Sequence, residues 1–136
     1  MSKIIGIGGI FLKFENPKEM NLWYKDVLEM NVNDYGVLFA YNSTSNKRAF
    51  LQLGTFENTS DYFGKTDQKV MLNFRVDNLL EFKLKLESKG VKIVDEIETY
   101  EYGKFLHIED PEGNRIELWE PVDNEFEKSE SFVDMQ

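Results

Sequence analysis

Apolar and polar positions along this chain change period twice, from alternation to a helical repeat and back. From Ile4 to Phe14 they alternate. Ile10, Leu12 and Phe14 fall on one side and Gly9, Phe11 and Lys13 on the other, which predicts a strand. A helix is predicted next: Asn16 suits its N-cap, Pro17 its first position, and Glu19 completes a capping box. Met20, Trp23, Tyr24, Val27 and Leu28 then recur as a buried helical face should, with Trp23 and Tyr24 expected in the core. Val37 to Tyr41 and Arg48 to Leu53 predict strands around the polar loop Asn42-Ser43-Thr44-Ser45-Asn46-Lys47.

Gly54 to Gln68 carries no period, yet holds Phe56, Tyr62 and Phe63, and reads as a linker between halves or a flap. Val70 to Val76 predicts another strand. Asp77 or Asn78 can cap a second helix that runs to Lys89 and stops at Gly90. Leu80, Phe82, Leu84 and Leu86 alternate as in a strand, but abundant Leu, Lys and Glu favour helix. Val91 to Tyr100 supplies one or two short strands. Residues 122–136 carry five acids and one base and read as a mobile acidic tail, with Phe126, Phe132 and Met135 available as anchors.

The most informative stretch is Gly103 to Pro121, where two apolar runs flank the turn-forming cluster Asp110-Pro111-Glu112-Gly113-Asn114. With Glu112 at the centre of the hairpin, Phe105 faces Trp119, His107 faces Glu117 and Glu109 faces Arg115. Each pair is favourable when directly opposed, and a slip of one residue would destroy all three. Leu106, Ile108, Ile116 and Leu118 form the other, aliphatic face. The hairpin therefore presents one face to a core and an aromatic, ionisable face to a cavity.

A chain of 136 residues is long enough for one domain with its own core. It contains no cysteine, which excludes disulfides, Cys-ligated zinc and cysteine nucleophiles and agrees with a reducing cytoplasm. The first residues read as a strand rather than a signal peptide, and no run approaches a membrane span. A net charge of -9 argues against nucleic acid and anionic membranes and leaves a small molecule or a protein as partner.

The run Asp110-Pro111-Glu112-Gly113-Asn114-Arg115-Ile116-Glu117-Leu118 resembles the closing hairpin of the vicinal oxygen chelate superfamily, which includes glyoxalases, extradiol dioxygenases and bleomycin or fosfomycin resistance proteins. The resemblance implies an α+β fold of two βαβββ modules whose curved half-sheets enclose a cavity, with the helices outside. Module one would span about 3–55, a linker or flap 55–68, and module two 69–121, within a single domain over 3–121. A weak internal repeat agrees, since Leu12 to Asn16 superposes on Phe74 to Asn78 with an offset of 62. The resemblance also implies a homodimer.

In metal-using members the resemblance places ligands at four positions, here Gly9, Gln52, Met71 and Glu117. Glycine has no donor, methionine suits hard divalent metals poorly, and Gln52 offers a neutral amide. No cofactor is therefore expected; a divalent metal on Glu117 is the open alternative. The cavity face should comprise Phe11, Lys13, Phe50, Gln52, Met71, Asn73, Arg75, Phe105, His107, Glu117 and Trp119. Ligand binding falls to Phe11, Phe50, Gln52, Met71, Asn73, Arg75, Phe105 and Trp119, around a small aromatic or amphipathic molecule. Glu117 and His107 are the candidate catalytic pair of a lyase, isomerase or related enzyme. A third reading is an interaction module whose pocket is filled by its own side chains.

Overall fold

The computed structural model describes residues 1–43, 47–127 and 132–135. The predicted loop residues Thr44, Ser45 and Asn46 and the tail residues 128–131 and 136 lie outside them. In chain order the described elements are β1 (Ile4–Phe14), α1 (Pro17–Asp26), β2 (Gly36–Asn42), β3 (Arg48–Glu57), β4 (Val70–Val76), α2 (Leu79–Ser88), β5 (Lys92–Ile93), β6 (Glu98–Tyr100), β7 (Gly103–Glu109), β8 (Arg115–Pro121), α3 (Asp123–Glu127) and β9 (Val133–Asp134).

The strands form one mixed, open sheet in the order β5-β7-β8-β4-β1-β3-β2-β9, with β6 also paired to β7. Its centre is the antiparallel joint between β1 and β4, where Gly9 opposes Asn73 and Phe11 opposes Met71. Each of these strands has a parallel neighbour from its own half: β3 beside β1 and β8 beside β4. The two halves thus repeat the same strand–helix–strands plan about the joint. In β7 and β8 every expected cross-strand pair is present, including Phe105 with Trp119, His107 with Glu117 and Glu109 with Arg115. Leu106, Ile108 and Leu118 on the opposite face pack with Val76 and Leu79 beneath α2. That cluster is the main core of the second half.

The helices α1 and α2 begin as their caps predict: Asn16 accepts from the Glu19 amide at 3.1 Å and Asn78 from the Glu81 amide at 3.0 Å. Gly90, at a φ of 75°, lets the chain leave α2 in a conformation side chains rarely adopt. The face that α1 buries differs from the expected one. Trp23, Val27 and Leu28 are 46%, 57% and 50% exposed. Pro17, Met20, Asn21 and Tyr24 turn inward instead, an equally good i, i+3, i+4, i+7 stripe. The Thr55 hydroxyl of β3 donates to the Asn21 side chain at 3.0 Å and fixes this rotation.

β3 runs four residues beyond its predicted end, so Phe56 is a strand residue. The following loop is held down at several points. Phe63 is fully buried against Phe11 and Met71. The Gln68 amide donates to Val70 and Arg115 carbonyls and accepts from the Arg115 amide, while Arg115 Nη1 donates to the Tyr62 carbonyl at 3.1 Å. The described parts of the tail pack on the first half-sheet through the three residues the sequence offered as anchors. Phe126 and Phe132 lie 5.4 and 5.6 Å from the Phe50 ring, β9 pairs parallel with β2, and Met135 N–H reaches the Ala40 carbonyl at 2.7 Å. Two anchoring aromatics and a strand edge outweigh the repulsion among its acidic residues. The tail thereby fills an edge beside β2 that β5 and β6 fill beside β7 in the second half.

Candidate functional site

Alternation along β4, β7 and β8 brings Asn73, Phe105, His107, Glu117 and Trp119 to the same face of the sheet. The centre of that face is the Glu117 carboxylate, which is 1% exposed. Asn73 Nδ2 donates to its Oε1 at 2.6 Å. His107 Nε2 lies 2.8 Å from Oε2, and the Tyr62 hydroxyl donates to the same oxygen. Because a carboxylate only accepts, the Asn73 amide must point its nitrogen at Glu117. Its Oδ1 then stays buried without a partner. A side chain at Gly8 would meet that oxygen at 2.3 Å and the Trp119 ring at 2.6 Å, so glycine is needed for this packing.

Asp95, from the irregular segment between β5 and β6, completes the cluster. Its carboxylate accepts from the His107 backbone amide at 2.8 Å and lies 2.6 Å from Nδ1. Both ring nitrogens face carboxylates, an arrangement that suits the doubly protonated imidazolium. Burial pulls the His107 pKa down, but hydrogen bonds and charge from Glu117 and Asp95 outweigh it and leave it above 6.5. Burial and the Glu117 charge push the Tyr62 phenol well above its ordinary value, so it remains a proton donor. The cluster is a hydrogen-bonded Asp95–His107–Glu117–Tyr62 chain, buried at His107 and Glu117 and partly exposed at Asp95 and Tyr62.

Two adjoining cavities meet it. The larger, of about 390 Å³, has walls of Phe11, Leu38, Phe56, Phe105, Trp119 and Phe126 and a polar end at Gln52, Tyr62, Asn73 and Glu117. Phe105 and Trp119 stack at 5.9 Å with planes 8° apart, and the Trp119 N–H is satisfied by the Tyr102 carbonyl at 3.0 Å. The smaller, of about 250 Å³, is lined by Tyr62, Asp95, Glu98, Tyr100, Tyr102, Phe105 and His107. Tyr62, Tyr102 and Phe105 line both.

Of the residues expected on the cavity face, Phe11, Gln52, Asn73, Phe105, Glu117 and Trp119 line the larger cavity and His107 the smaller. The other four have different neighbours. Phe50 packs with Phe126 and Phe132, and Met71 with Phe11 and Phe63. Lys13 donates to the Lys65 and Thr66 carbonyls of the loop after β3. Arg75 forms a two-bond pair with Asp123 at 2.9 and 2.5 Å beside the Trp119 ring, locking α3 to the sheet. Tyr62, Asp95 and Phe126 were not among the expected site residues. The surplus of aromatics in that loop pointed to Tyr62; Asp95 carried no signal.

The four positions where metal-using relatives place ligands do not fit a divalent metal. Gly9 lacks a donor, the Gln52 amide donates to the Val37 and Leu53 carbonyls, and Met71 is enclosed by phenylalanines. Register places Asn73 rather than Met71 beside Glu117, whose oxygens already accept from three side chains. Among the described residues no group of three His, Cys, Asp or Glu side chains could hold a metal.

An open mixed sheet built of two repeated strand–helix–strand halves, with a cavity over its joint, defines the vicinal oxygen chelate class. The family model of the Glyoxalase/Bleomycin resistance protein/Dioxygenase superfamily matches residues 10–118, and the chain belongs to that superfamily. No curated protein sequence matches it. Among solved structures it is similar to methylmalonyl-CoA epimerase from Mycobacterium tuberculosis, at 19% identity and TM-score 0.60, covering 91% of this chain and 93% of that one. A Streptomyces coelicolor methylmalonyl-CoA epimerase variant in complex with 2-nitronate-propionyl-CoA has 14% identity and TM-score 0.65, covering 88% and 99%. A superfamily member from Vibrio splendidus 12B01 has 12% identity and TM-score 0.52, with coverage of 88% and 99%. At these identities the likeness is one of fold.

Proposed function

We propose that this protein binds a small aromatic or amphipathic molecule in the larger cavity without a metal, as a cytoplasmic homodimer. The observation that carries the reading is the stacked Phe105–Trp119 wall, which leads to a polar end at Gln52, Tyr62, Asn73 and Glu117. Aromatic walls with few convergent polar groups suit recognition of a flat ligand carrying a donor group. An open volume of about 390 Å³ argues against a pocket filled by its own side chains.

A thermal-shift panel on metal-stripped protein tests this, with divalent metals in one arm and small aromatic, cationic and dicarbonyl compounds in the other. An organic ligand should raise the melting temperature by mass action, and Trp119→Ala should abolish that shift while remaining folded. No organic hit, or a metal shift lost in Glu117→Gln, overturns the proposal.

The dimer reading has its own support. Ile7, Val70 and Leu72 are 42%, 47% and 38% exposed on the face of the β1–β4 joint opposite Asn73. Contiguous exposed apolar surface favours burial, and a twofold contact would lay the same patch on itself. Light scattering should give twice the chain mass, falling to the chain mass in Leu72→Lys.

The Asp95–His107–Glu117–Tyr62 chain favours a second reading as an acid/base enzyme. Glu117 would take a proton from a substrate carbon, and His107, whose pKa is raised, or the Tyr62 phenol would return one. Methylmalonyl-CoA in D₂O is a first substrate to try, given the epimerase neighbours. Full deuterium exchange in Glu117→Gln would sink the assignment.

A further inference from the structure

The smaller cavity is built differently from the larger one. One wall is a run of rings: Tyr100 and Tyr102 stack at 5.4 Å with planes 5° apart, and Phe105 sets its edge to Tyr102 at 5.6 Å. Tyr62 and His107 stand among the other lining residues, and Asp95 and Glu98 contribute carboxylates. Those carboxylates are already engaged. Asp95 accepts from the His107 amide and ring, and Glu98 accepts from the Tyr100 hydroxyl. They supply negative field more than vacant hydrogen-bond acceptors. A metal is a poor occupant, since the described residues offer no three-ligand group. A primary ammonium or guanidinium would bring several N–H donors that need acceptors of their own.

A cation without N–H donors has neither difficulty. Its charge is attracted by ring faces and by Asp95 and Glu98, whose two negative charges outnumber the one positive charge His107 can carry, and its methyl groups pack on the aromatic wall. We propose that the smaller cavity is a binding site for a quaternary ammonium group. The site adjoins the larger cavity, with Tyr62, Tyr102 and Phe105 lining both. A ligand with an aromatic body and a trimethylammonium end would therefore span both, the body against Trp119 and the cation against Tyr100 and Tyr102. This deepens the proposed function and rests on it for the aromatic body alone. Long-range charge works in the same direction, because a net charge of -9 concentrates cations around the protein.

The test compares benzyltrimethylammonium with its neutral isostere neopentylbenzene, and adds tetramethylammonium by itself, using calorimetry and ring-proton NMR on the full chain. The expected result is about tenfold tighter binding of the cation than of the isostere, diminished by added salt. The conservative Glu98→Gln should erode that preference to less than about threefold and leave neopentylbenzene binding unchanged, whereas Tyr100→Ala should weaken both probes and the cation more, again narrowing the preference to less than about threefold. Tetramethylammonium should shift the Tyr100 and Tyr102 ring signals. Equal affinity for the two benzyl probes, or a preference untouched in both variants, overturns the proposal. If tetramethylammonium binds at these rings and neopentylbenzene does not bind, the ammonium site stands and the larger-cavity reading fails. The reverse pattern sinks the ammonium site alone.

Discussion

Replacing Glu117 with leucine should be among the most damaging single changes in the protein. The carboxylate is 1% exposed and accepts from Asn73, His107 and Tyr62. Leucine keeps most of the volume but accepts nothing. The Asn73 N–H group is then left buried without a partner, which costs about 1–3 kcal/mol. His107 keeps Asp95 but loses a charge-assisted bond of about 1.5–3 kcal/mol. Tyr62, 38% exposed, can turn its hydroxyl toward solvent and contributes little. The expected cost is about 3–5 kcal/mol, as for removing one partner of a buried ion pair. Urea denaturation at pH 6 measures it, followed by the fluorescence of the buried Trp119. Adding His107→Leu to Glu117→Leu should recover part of the loss, with a coupling energy of about 1–3 kcal/mol. A single-variant cost below about 1 kcal/mol, or no coupling, would refute the view of this cluster as a desolvated charge network.

The lone histidine gives an unambiguous NMR titration, and its midpoint should lie above 6.5 and fall in Asp95→Asn. Because the folded pKa is raised, the stabilisation is complete below about 6.5 and is lost as pH rises through the folded value, so urea midpoints should decline on the alkaline side. Asp123→Ala should leave the buried Arg75 guanidinium without its carboxylate, costing about 2–3 kcal/mol because Asp123 is partly exposed, and should speed exchange of the Met135 amide. Gly8→Val should cost about 1–3 kcal/mol by overpacking and weaken ligands of the larger cavity, since it displaces Asn73 and Trp119; unchanged melting and binding would contradict that geometry.

The hairpin was legible because turn chemistry fixed its centre and three favourable pairs fixed its register. Helix starts were legible from Asn16 and Asn78, whose caps act within four residues. The rotation of α1 was not, because two overlapping stripes satisfy the same period and a contact from Asn21 to Thr55 on β3 decides between them. Half of the polar cluster followed from the His107–Glu117 pair. The other half comes from Tyr62 and Asp95, carried by segments without a period, and only the folded sheet brings them to His107 and Glu117. Arg75 shows the converse: its strand face was read correctly, but Asp123 reaches it from the tail.

The pairing of β2 with β9 joins residues 39 and 133, among the most distant in sequence of any strand contact here. Contacts of that span close large loops and form late in folding. Until they form, Leu38 and Phe50 lack Phe126 and Phe132, which pack against their cluster in the native state. A folding intermediate with both halves paired but the last segment loose would therefore expose an apolar surface beside an unpaired strand edge. Such a species is prone to stick to its own kind. The segment that walls the larger cavity would then also determine how cleanly the chain folds, and any molecule bound against Phe126 would act on yield as well as on stability.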